Sequence, residues 1–278
     1  MRTKLAAIAG VLALGIAGCG NQPAVMPDSG GAVNGLQLSG PTSSYPGTSG
    51  YGSPYGSTAN SYGSAGYGSY APANPQAQVQ SLLSSVAQAY NQDTSIRAQV
   101  TVFVQNLQTG ESMSGDMDYW FQKPNSTALY VIDSSGSNTV GTKLVWMGGD
   151  QVAVRTKFIG FWVNTSVSVT DSRILDKRGD SLADTSVGRM MSTLLDPQAQ
   201  VTMLGSGSYL GQPVVQIAVV SRQSLPGVTS ERFTINTQSM LPVIREMYSG
   251  NQLTYRIQLK NVQLNAPDPS AFSLTGDT

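Results

Sequence analysis

The sequence predicts an α+β domain, mainly antiparallel β, with about ten or eleven strands and two short helices over residues 75–278. Three observations carry that prediction. Apolar and polar residues alternate with period two at Ile96, Ala98, Val100, Val102 and Val104, and again at Leu253, Tyr255, Ile257 and Leu259. Turn clusters such as Gln108-Thr109-Gly110-Glu111 and Ser249-Gly250-Asn251-Gln252 separate the runs by a few residues, which suits hairpins rather than crossover helices. Helical spacing occurs in only two places.

The first is at the start of the domain. Asn74 is a capping residue and Pro75 suits the first helical position, and Val79, Leu82, Leu83, Val86 and Tyr90 then form one apolar stripe. Strands follow at 96–105 and 113–123, the latter ending at Pro124-Asn125. Further strands are expected at 127–133, 139–147 and 151–157, with turns at 134–138 and 148–150. Residues 158–169 form one strand or two. The pattern breaks at 175–195, where a polar loop, Asp176-Lys177-Arg178-Gly179-Asp180, precedes the second helix. Asp184 or Thr185 would cap it, with Val187, Met190, Met191, Leu194 and Leu195 on one face and Pro197 after its end. Strands resume at 200–204, 213–221, 229–236, 243–248 and 252–264.

Residues 1–18 have the layout of a signal peptide: Arg2 and Lys4, then an apolar run from Leu5 to Ala17. That run is shorter than the ~20 residues a membrane-spanning helix needs. The single cysteine, Cys19, follows Ile16-Ala17-Gly18, so this segment resembles a bacterial lipobox. That resemblance implies acylation of Cys19 with diacylglycerol and an acyl chain, and anchoring outside the cytoplasm by lipid. With Gly20 after the cysteine, an outer membrane facing the periplasm is expected where the host has one, and otherwise the outer face of the cytoplasmic membrane. Residues 19–74 are rich in Gly, Ser, Pro and Tyr and poor in aliphatics, so they are expected to form a disordered tether.

Composition narrows the function. The chain has no histidine and one cysteine, which removes Ser-His and Cys-His catalysis and the commonest transition-metal ligand. Sixteen basic residues balance sixteen acidic ones, so no bulk charge points to nucleic acid. No cofactor beyond the covalent lipid is expected, and the chain is expected to be a monomer.

The C-terminal part carries a family cadence. Phe233-Thr234-Ile235-Asn236 runs through Thr237-Gln238-Ser239-Met240 into Leu241-Pro242-Val243, and the domain closes on Pro267-Asp268-Pro269-Ser270-Ala271-Phe272. This resembles the LolA/LolB-like superfamily of periplasmic lipoprotein carriers and related lipid-binding lipoproteins. The resemblance implies an incomplete, half-open β-barrel with short helices over its open face. It also implies an apolar cavity for a lipid or an acylated lipoprotein, since an unclosed barrel is too wide for its own side chains to fill. Leu83, Val86, Trp120, Trp146, Phe161, Met190, Met191 and Leu194 are the candidate cavity or lid residues, each with core packing as the plainer alternative. No single arginine stands out as the counterpart of the carriers' cavity arginine among Arg97, Arg155, Arg173, Arg189, Arg232, Arg245 and Arg256.

Two other functions compete. The fold implied also serves non-catalytic sensors or scaffolds that dock an envelope protein, and a fully packed interior would favour that reading. A glycoside hydrolase would need paired carboxylates, and Asp116 and Asp118 share a strand face, but solvated strand carboxylates explain them as well. Asp176, Asp180 and Asp184 lack the spacing and glycine of a calcium-binding EF-hand loop.

Overall fold

The computed structural model describes residues 36–39, 74–135 and 139–275. Cys19, the expected signal peptide and most of the expected tether lie outside them.

Twelve strands form one antiparallel sheet among the described residues: β1 (Leu36–Ser39), β2 (Ser95–Gln105), β3 (Ser112–Gln122), β4 (Ser126–Ser134), β5 (Lys143–Trp146), β6 (Gln151–Phe158), β7 (Phe161–Ser168), β8 (Gln200–Tyr209), β9 (Gln212–Val220), β10 (Ser230–Asn236), β11 (Pro242–Ser249) and β12 (Gln252–Leu264). The order is β1-β8-β9-β10-β11-β12-β2-β3-β4-β5-β6-β7. Its two edges, β1 and β7, do not pair with each other, so the sheet is an incomplete barrel. Two helices, α1 (Pro75–Gln92) and α2 (Val187–Leu194), pack on its inner face. Asn74 caps α1 by accepting from Gln76 N at 3.0 Å, with Pro75 in the first turn. Ser186, not Asp184 or Thr185, caps α2, because Asp184 is engaged by the Ser181 backbone and hydroxyl.

Register fixes which side chains face inward. Ala98, Val100 and Val102 stand opposite Tyr119, Met117 and Gly115, while Arg97 stands opposite Trp120 on the outer face. The inner face of β8–β12, β2 and β3 closes on α1 and α2 through Phe233, Ile235, Ile217, Met247, Val86 and Leu194, all buried. The outer face is covered in two places. The C-terminal 3₁₀ turn Pro269–Phe272 lies over Trp120, Ala128 and Val145. Leu36 of β1 packs on Tyr209, Val214 and Ile244.

The structure corrects or narrows four sequence expectations. First, part of the expected tether is a strand: Leu36 and Gln37 pair with Tyr209 and Ser208, using an edge that β8 would otherwise leave open. Second, residues 158–169, open in the sequence as one strand or two, hold one strand that begins only at Phe161. Ile159 (φ 46°) and Gly160 (φ 83°) make a two-residue turn between Phe158 and Phe161. A turn with both residues at positive φ matches strand twist, and an isoleucine there conceals it from a search for Asn-Gly or Asp-Gly. Third, β8 runs on to Tyr209, past a bulge before Gly205. Fourth, only Lys143–Trp146 of 139–147 is strand.

Candidate functional site

The inner face is divided. One part is filled by the helices. The other, between β2 and β6, is left open as a cavity of about 490 Å³. That volume is within the usual range for small-molecule sites. Strands β2 and β6 stand four places apart in the sheet yet line this one cavity, as a strongly curved sheet requires.

Alternation builds the apolar floor. Val100, Val102 and Val104 of β2 project inward, beside Met113, Met117 and Tyr119 of β3. Leu129 and Val131 of β4, Leu144 of β5 and Val154 of β6 continue the surface, and Tyr255 and Ile257 of β12 close its other flank. The far wall is hydroxylated: Thr142 and Thr156 hydrogen-bond each other at 2.9 Å, with Ser134 and Thr139 nearby.

The remaining wall is the loop between β7 and α2, which supplies Arg173, Asp176, Lys177, Asp180, Ser181, Leu182 and Thr185. The loop is pinned at several points. Asp176 N donates to Asp180 O at 3.0 Å, and Asp176 Oδ1 accepts from Arg178 N at 2.8 Å and Asp180 N at 2.9 Å. Arg178 Nε donates to Asp180 Oδ2 at 2.8 Å, and its Nη1 donates to Thr254 Oγ1 on β12. Asn106 Nδ2 donates to Lys177 O at 2.9 Å, tying the loop to the β2–β3 hairpin. The covering of the cavity is therefore this stapled loop rather than a short helix.

Electrostatics on that wall are uneven. Burial, followed by the like charge of Asp180, pushes the Asp176 carboxyl up to about 6, against the opposing pull of its backbone donors and Arg178. Burial also raises Asp180, despite Arg178. Arg173 holds Asp171 down at about 2 through a fork of 2.8 and 2.5 Å bonds. The phenols of Tyr119 and Tyr255 are pushed far above their ordinary range by burial.

None of the eight candidate residues lines this cavity. Val86, Met190, Met191 and Leu194 are buried in the core between helices and sheet, with Leu83 packed against it. Trp120 faces outward, beneath Ala271 and near Arg97, whose guanidinium lies 5.6 Å from the ring. Trp146 faces inward on β5 but packs against the cluster of Val152, Val154, Val167 and Leu182, its Nε1 donating to Gly149 O at 2.6 Å. Phe161 stands 73 % exposed beside the Ile159-Gly160 turn. Apolar character and element type cannot separate core from cavity lining when both use the same inner face. Strand parity is the better signal: residues in phase with Val100 and Val102 include Met117 and Tyr119, and exclude Trp120.

Arg173 lines the cavity and is clasped by Asp171. Arg245 is buried in the core, with Nε donating to Glu231 Oε2 at 2.7 Å. The carboxylate pair considered for catalysis lies on the outer face. Asp116 is exposed there and accepts from the Thr101 hydroxyl at 2.5 Å, and Thr101 in turn accepts from Lys260 Nζ at 3.0 Å.

No family model matches the chain, and no curated protein matches its sequence. Solved structures do resemble it. The lipoprotein LppX of Mycobacterium tuberculosis is 15 % identical, with 69 % of this chain and 97 % of that one covered and a TM-score of 0.42. An outer membrane lipoprotein-sorting protein domain from Vibrio parahaemolyticus is 10 % identical, covering 70 % and 97 %, with a TM-score of 0.37. The LolA superfamily protein NE2245 from Nitrosomonas europaea is 9 % identical, covering 70 % and 97 %, with a TM-score of 0.32.

Proposed function

We propose that this is a non-catalytic binding module of the cell envelope, exported and anchored through a lipid on Cys19, that takes the acyl part of a lipid or acylated protein into its inner cavity. One observation carries the reading: the inner face of a half-open barrel keeps an apolar cavity of about 490 Å³ next to a fully packed core. An apolar occupant gains ~0.8 kcal/mol per methylene removed from water, so acyl chains of modest length bind without any charged partner. The cavity also favours this reading over a scaffold with a packed interior.

The test is native mass spectrometry of the full chain purified gently from its own host, with titration of a fluorescent acyl probe. A co-purifying acylated mass and micromolar probe binding are expected. Val102→Phe, which places a ring in the cavity, is expected to weaken the probe at least tenfold while the fold is kept. A clean apo mass with no probe uptake refutes lipid binding. Lipidation of Cys19 is tested by the mass of the mature N-terminus, and Cys19→Ser is expected to release the protein from membranes.

A further inference from the structure

Resting on the lipid-binding reading, the cavity's polar wall says what kind of head group it receives. Asp176 lines the cavity, and its two carboxylate oxygens are in different states. Oδ1 is spent on two backbone N–H groups of its own loop, from Arg178 and Asp180. Oδ2 is buried and accepts no hydrogen bond. The neighbouring cations are held elsewhere: Arg178 on Asp180, Arg173 on Asp171, and Lys177 on Glu111 at 3.3 Å. Asp180 also lines the cavity, but its Oδ2 is taken by Arg178 at 2.8 Å, so Asp176 Oδ2 is the unpartnered carboxylate oxygen of this wall. A buried acceptor left without a donor costs about 1–3 kcal/mol, so it is rare unless something completes it.

We infer that Asp176 Oδ2 is the head-group acceptor of the cavity, and that the occupant is a single-chain or acyl-bearing lipid whose polar end donates a hydrogen bond, a hydroxyl or an ammonium, rather than an anionic phosphate or carboxylate. Chain and head then divide between the two surfaces: methylenes lie over Val102, Met117 and Leu144, and the donor reaches the Asp176 loop. A carboxylate or phosphate placed there brings no donor to Asp176 Oδ2 and leaves that oxygen unpaired.

The experiment uses the full chain and the fluorescent acyl probe, displaced at pH 8 by four twelve-carbon competitors: dodecanol, dodecylamine, dodecyl methyl ether and dodecanoate. Dodecanol and dodecylamine are expected to displace it at concentrations about tenfold or more below those of the ether and dodecanoate, as one hydrogen bond to a charged acceptor predicts. Amine above alcohol identifies an ammonium head, and alcohol at or above amine a hydroxylated one; either supports the inference. Asp176→Asn keeps an oxygen for the loop amides and replaces Oδ2 by an amide donor. It is expected to abolish the preference for donors and to improve dodecanoate. Four equal competitors in the wild type, or an unchanged ranking in Asp176→Asn, overturns the head-group assignment and leaves lipid binding standing. Failure of the probe itself to bind overturns both.

Discussion

Glu231 and Arg245 form an ion pair at 2.7 Å in which neither side chain is more than 1 % exposed. It lies on the inner face, where Arg245 stands opposite Phe233 and Ile257. Glu231 Oε1 and both terminal guanidinium nitrogens of Arg245 are buried without a hydrogen-bond partner. Such a pair returns little net stability, yet removing one member leaves a bare charge in the core. Glu231→Ala is expected to cost about 3–5 kcal/mol in urea denaturation. Replacing both members, as Glu231→Met with Arg245→Leu, is expected to restore stability to the wild-type level or above. A mild loss from Glu231→Ala would contradict this account.

The Asp176 loop gives the protein a pH dependence of definite sign. The carboxyl titrates near 3.8 when unfolded and about 6 when folded, so the folded state holds its proton more tightly. Its stabilising contribution is complete below about pH 4 and is lost as pH rises through 6. The facing charges are Asp180 and Arg178 on the same loop, with the Tyr255 phenol of β12 and Arg245 of β11 coupled to them. The loss amounts to about 3 kcal/mol at most. Asp176→Asn is therefore expected to be more stable than wild type at pH 8 and to decline less between pH 4 and 7, as read from urea midpoints across that range.

Ile159 occupies a position at which a β-branched residue is strained, φ 46°, and it is 78 % exposed. Ile159→Asn places a residue suited to that conformation before Gly160. It is expected to raise stability by about 1 kcal/mol. Gly160→Ala, at φ 83°, is expected to lower it. Thermal denaturation of the two variants checks both directions.

Leu194 is fully buried between α2 and the sheet and does not line the cavity. Leu194→Ala is expected to cost about 2–5 kcal/mol while leaving acyl-probe affinity within twofold. A large loss of affinity from a variant that is still folded would place the helix in the binding site after all.

The fold was more legible in the sequence than the site. Alternation at Ile96–Val104 and Leu253–Leu259 and the Asn74-Pro75 helix start are local signals, and each marks an element the structure contains. The β6–β7 turn escaped because Ile159 is the wrong residue type for the conformation it adopts. The candidate cavity residues were chosen by bulk and apolarity, properties that Met190 in the core shares with Met117 in the cavity. Only pairing register separates them, because Trp120 and Tyr119 are neighbours in sequence and point to opposite faces. Asp176 carried no sequence signal beyond its place in a polar loop, since what distinguishes it is that its two oxygens end in different surroundings.

Tyr119 belongs to both halves of the inner face. Its ring lines the cavity, and its hydroxyl accepts from Val187 N at 3.2 Å, at the first residue of α2. Cavity wall and helix anchor are thus one and the same side chain, so a substitution at Tyr119 alters the pocket and the start of α2 together.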